Sequence, residues 1–97
     1  MLKRSNEISL KEAFEELVNQ YGLKPKLNEW SIKASWAKLM GPHVDKATQK
    51  IVLSKQTLIV ELNSAPLRQE LIYASAKIIK LLNQEAGAPI IDKIVFR

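Results

Sequence analysis

The chain has 97 residues, 46% hydrophobic and 26% charged, with a formal charge of +5, the size and make-up of one globular domain rather than of two cores or a disordered segment. It contains no cysteine, which excludes disulfides, thiolate zinc sites, iron–sulfur clusters and cysteine nucleophiles and suits a cytoplasmic protein. No stretch approaches about 18 uninterrupted apolar residues, and charged residues interrupt the N-terminus every few positions, so neither a membrane span nor an export signal is supported.

Residues 1–8 read as a flexible N-terminus ahead of a single domain over 9–97. Ser9 and Glu12 have the spacing of a capping box that opens a first helix. Leu10, Ala13, Phe14, Leu17, Val18 and Tyr21 then recur at helical intervals up to Gly22, whose freedom of φ suits a stop. Its outer face carries Glu12, Glu15 and Glu16 and is the wrong surface for phosphates. Pro25 predicts a short linker, with Asn28 capping a second helix that runs to about Met40. Ile32, Trp36, Leu39 and Met40 form its apolar stripe, with Trp30 on nearly the opposite side. Gly41-Pro42 ends that helix, since proline removes an amide and fixes φ.

After Thr48 the period changes from that of a helix to that of a strand. KIVLS and TLIVELN, separated by Lys55-Gln56, predict a hairpin with Leu58, Val60 and Leu62 on the covered face. Ser64 caps a third helix of about 22 residues, with Pro66 in the tolerated first turn and Leu67, Leu71, Ala74, Ile78 and Leu82 as its stripe, until Gly87-Ala88-Pro89. IIDKIVFR closes the chain as a third strand, with Ile90, Ile94 and Phe96 facing one way and Ile91 and Val95 the other. Strand, long helix, strand is a crossover unit, so the second and third strands should be parallel. The predicted order is α-α-β-β-α-β in an α+β fold, a three-stranded mixed sheet covered by helices on one face, with Trp36, Leu71 and Ile78 among the most buried residues.

The charge is concentrated. Between Lys24 and Lys55 stand seven lysines (Lys24, Lys26, Lys33, Lys38, Lys46, Lys50 and Lys55) against Glu29 and Asp45, and the rest of the chain sums to zero. A polyanion, nucleic acid above all, is the partner such a segment favours; a solvated face kept for solubility is the alternative. Trp30, beside Lys26 and Lys33, is either a platform for a splayed base or a core residue packed against the first helix. His43 is the only histidine and follows the Gly-Pro break; with no second histidine, no cysteine, a single glycine in the stretch around it and no nucleophile elbow, neither a metal site, a phosphate loop nor a catalytic site is expected. No cofactor is expected either.

The contiguous block Ser64, Pro66, Leu67, Arg68, Glu70 and Leu71, with Trp36, Gly41 and Thr48 before it and IDKIVFR after it, resembles the DciA-like family of bacterial proteins from about residue 9 to the C-terminus. The resemblance implies a KH-like fold, association with DNA, particularly single strands, and a role beside the replicative helicase as loader or operator. The chain has no GxxG loop, so the nucleotide clamp of ordinary KH domains does not carry over. Arg68 is the motif residue most open to a functional reading, through a phosphate held with the helix-start amides or through pairing with Glu61 or Glu70. Two functions remain in view: a non-catalytic nucleic-acid module in replication, and a protein-interaction module with a basic surface and no direct nucleic-acid contact.

Overall fold

The structure, a computed structural model, describes residues 2–97, with side chains from residue 9 onward. The elements are α1 (Leu2–Gln20), α2 (Lys24–Ala47), β1 (Thr48–Ser54), β2 (Thr57–Leu62), α3 (Ala65–Tyr73), α4 (Ser75–Ala86) and β3 (Lys93–Phe96). The sheet order is β1-β2-β3, with β1 antiparallel to β2 and β2 parallel to β3, the mixed sheet that the crossover argument requires.

Each boundary follows from local chemistry, and several depart from the sequence reading. α1 starts at Leu2, so Ser9 lies inside the helix and does not cap it; no Gly or Pro precedes Ser9 to break the helix there. The flexible stretch expected over 1–8 falls on residues whose side chains, and for Met1 the backbone also, lie outside those described. At the other end Gly22 takes a φ of 62°. There Leu23 N–H donates to Val18 O at 2.9 Å and Gly22 N–H to Asn19 O at 3.3 Å, a complete Schellman cap. α2 then begins at once: Pro25 occupies its first turn, where the missing N–H costs nothing, and Asn28 is an interior residue rather than a cap.

Gly41 breaks α2 as expected, with φ 87° and ψ 165°, a region open essentially to glycine alone. Helical geometry resumes at Pro42, a residue well suited to a first turn, and lasts to Ala47, a short continuation that the Gly-Pro stop did not suggest. The hairpin turn is two residues long, with Lys55 at a φ of 58°, where glycine or asparagine is the usual choice. The expected long helix is two helices, α3 and α4, that part at Ala74. The Ser75 hydroxyl donates to Ile72 O at 2.7 Å, a back-bond of the kind that bends helices.

Ile51 and Leu53 of β1, Leu58, Val60 and Leu62 of β2 and Phe96 of β3 form the covered sheet face, against Ile32, Trp36, Leu67, Leu71, Ile78 and Leu82 from the helices. Trp36 is 1% exposed, and Leu71 and Ile78 are buried as expected. The other face, with Lys50, Val52, Ile59 and Val95, is half-open. Ile90 and Ile91 are both buried, so strand alternation does not reach them. The Asn83 side chain holds Ile91 instead, donating to its carbonyl at 2.8 Å and accepting from its N–H at 3.0 Å. α1 stands apart: of its described side chains only Val18 is buried, at the corner with α2.

Candidate nucleic-acid interface

α2 sorts its two tryptophans by phase. Ile32 and Trp36 point into the core, and the same register turns Trp30 outward, where it is 68% exposed. Packing of Trp30 against α1, the rival expectation, is not what the structure shows. Lys26, four residues before Trp30, and Lys33, three after it, share its side of the helix and are exposed. An open indole is thus flanked by two cations.

Glu29 modifies that picture. Its carboxylate accepts from Leu53 N–H at 2.8 Å, on the free edge of β1, and pairs with Lys33 at 3.4 Å. The backbone bond from Leu53, aided by the charges of Lys33 and Lys26 and opposed by partial burial, holds the carboxyl below the usual range. Between α2 and β1 lies a shallow groove bordered by Glu29, Lys33, Asp45, Thr48, Gln49 and Lys50. Both acids of the lysine-rich segment therefore line it, and its two lysines are balanced. The cationic stretch of sequence does not become one uniform cationic face.

The remaining lysines are dispersed. Lys38 reaches across to α4 and pairs with Glu85 at 2.8 Å. Lys24 lines the α1–α2 corner with Glu15 and Phe14, Lys46 closes the last turn of α2, and Lys55 sits at the hairpin tip. Arg68 makes neither contact expected of it with a carboxylate: its Nη2 donates to Leu62 O at 3.3 Å, and its Nε is buried without a partner. The β2 carbonyl lies nearer than any acid because α3 starts directly beyond that strand.

The other motif residues are structural in what they touch. Trp36 Nε1 donates to Thr48 Oγ1 at 2.9 Å, and that hydroxyl donates to Val44 O at 2.7 Å. Ser64 caps α3 by accepting from Leu67 N–H at 3.3 Å, Pro66 sits in the first turn, Leu67 and Leu71 are buried, and Glu70 is exposed. His43 is exposed on the turn after Gly41. Among the described residues no group of three His, Cys, Asp or Glu could hold a metal, and no helix is long and apolar enough to cross a membrane.

Two features escaped the sequence reading. The Glu29–Leu53 bond joins residues 24 positions apart, and no local spacing signals it; the i,i+4 spacing of Glu29 and Lys33 marks only their own pairing. The other is the open apolar side of α1, whose helical period was legible but not its lack of cover. In comparison with known proteins, the model of the family described as "Dna[CI] antecedent, DciA" matches residues 9–96. No curated protein and no solved structure matches.

Proposed function

The chain belongs to the DciA family, and from that premise we propose that it is a non-catalytic accessory of DNA replication that binds single-stranded DNA along the Trp30 side of α2 while acting with the replicative helicase. Membership itself implies a helicase loader-like role in replication. The observation that carries the finer reading is the exposed Trp30 between Lys26 and Lys33. A splayed base needs a flat apolar partner, and its neighbouring phosphates need charge within a side chain's reach. Lys50, across the groove, extends that charge toward β1. Glu29 and Asp45 keep the surface from being a general polyanion sink, which favours a contact that uses the base face as well as the phosphate.

The test is fluorescence anisotropy of an oligo-dT with the chain, repeated over a range of salt. Release of counterions should make log affinity fall linearly with log salt. Binding that is absent, or indifferent to salt, overturns the reading. A second reading, a protein-interaction module without nucleic-acid contact, is favoured by the exposed apolar side of α1; recovery of the helicase with this chain after nuclease treatment, with no oligonucleotide binding, would establish it.

A further inference from the structure

A carboxylate already stands where a phosphate next to Trp30 would be held. Glu29 and Trp30 are neighbours in α2, and Lys26 and Lys33 each lie three or four residues from both, so the four side chains share one side of the helix. The two lysines fall between the indole and the carboxylate around the helix. A phosphate beside a base stacked on Trp30 therefore reaches Lys33 on the side that faces Glu29. There it meets an acid with both oxygens engaged: Oε2 accepts from Leu53 N–H at 2.8 Å, and Oε1 pairs with Lys33 at 3.4 Å.

Two donors on the two oxygens of one anion form an arrangement that the non-bridging oxygens of a phosphodiester reproduce. A lysine and a backbone amide are also donors that phosphates recruit. The Leu53 amide is open to either anion because β1 is an edge strand, with β2 as its one neighbour in the sheet. The same contacts, the Leu53 amide foremost, hold the Glu29 carboxyl below its usual range, so they favour a negative charge at this spot. Asp45, the other acid of the groove, differs: among the described residues it makes no ion pair.

Glu29 can leave without disturbing the fold around it. Its side chain keeps 27% of its surface open, and its partner Lys33 keeps 50%, so a turn into water moves no other element. We propose that Leu53 N–H and Lys33 form a phosphate site for the strand stacked on Trp30, and that Glu29 occupies this site until the strand displaces it. The proposal rests on the nucleic-acid reading above and adds an internal competitor to it. A free anion sets only its charge against the carboxylate, whereas a strand adds the base stacked on Trp30. Glu29 thus favours single strands over loose polyanions.

Oligo-dT titrated into the isotope-labelled full chain should shift the Leu53 amide resonance, because the acceptor changes from a carboxylate to a phosphate. A Leu53 resonance that stays in place while the strand is bound overturns the site. Glu29→Gln keeps an acceptor for Leu53 N–H and frees Lys33, whereas Asp45→Asn makes the same change of net charge in the same groove. Glu29→Gln should bind oligo-dT about fivefold more tightly than Asp45→Asn. In a Lys33→Ala background that difference should disappear. Equal affinities for the two variants, or a gap that persists without Lys33, overturn the competition. If neither wild type nor Glu29→Gln binds any oligonucleotide, the nucleic-acid reading has failed, and pyrophosphate titrated into Glu29→Gln tests the site alone. A Leu53 shift then keeps the anion site without a strand, and no shift removes it.

Discussion

Trp36 and Thr48 are joined by a 2.9 Å hydrogen bond from the indole Nε1 to the hydroxyl, which in turn donates to Val44 O. The bond ties the most buried side chain of α2 to the first residue of β1, and so fixes where the helix hands over to the sheet. Thr48→Val keeps the shape and leaves the indole N–H without an acceptor. It should cost about 1–3 kcal/mol, read as a melting temperature lower by about 4–8 °C per kcal/mol in a domain of this size. An unchanged melting temperature would mean the bond contributes nothing.

Gly41 carries a second structural demand. At φ 87° and ψ 165° a Cβ meets no atom within 4 Å, so the obstacle to a side chain is backbone strain alone. Gly41→Ala should therefore destabilise by about 1–3 kcal/mol without changing the side-chain packing. Matching melting curves for the two proteins would show that the break in α2 can relax.

Glu29 gives a pH dependence of definite sign. Its folded pKa is depressed, first by the Leu53 N–H bond. The resulting stabilisation is present above the unfolded value of about 4.3 and is lost as pH falls through the lower folded value. Melting temperatures of wild type and Glu29→Gln should differ at neutral pH and converge on acidification below about pH 4. A gap that stays constant down to the acid limit would assign the difference to something other than this carboxylate.

The lysines are expected to separate by their neighbours. Lys26 and Lys33 flank Trp30, Lys33 pairing also with Glu29, whereas Lys38 lies eight residues beyond Trp30 and reaches across to Glu85 on α4. Lys26→Ala and Lys33→Ala should each reduce the slope of log affinity against log salt for oligo-dT by about 0.7, and Lys38→Ala should leave it alone. The same slope for all three would mean that no particular lysines carry the contact.

How far the sequence could be read depended on whether a feature is local. The strand faces, the parallel crossover, the Gly41 break and the burial of Trp36 were legible because they follow from period and from Gly-Pro chemistry. Ser9 misled because a capping box needs a chain that leaves the helix before it, and nothing before Ser9 does so. Pro25 misled because proline is as much at home in a first turn as in a linker. The division at Ala74 depends on one serine hydroxyl choosing the backbone of the preceding turn, a choice that spacing does not record. At the candidate site the phase of Trp30 set it on the side opposite Trp36, but its exposure stayed open, because phase does not say whether the first helix packs over that side. The balancing of Lys33 and Lys50 by Glu29 and Asp45 was not legible, because it arises only when β1 lies beside α2.

The most direct test of the nucleic-acid reading is Trp30→Ala, with oligo-dT affinity and melting temperature measured on the same preparations. Because the indole is exposed, the substitution should change stability by no more than about 0.5 kcal/mol. Loss of a stacked base should weaken binding by about 1–3 kcal/mol, roughly five- to 150-fold, with the salt slope retained. Unchanged affinity in a protein that still binds with that slope would contradict the account and leave the lysines alone as the contact.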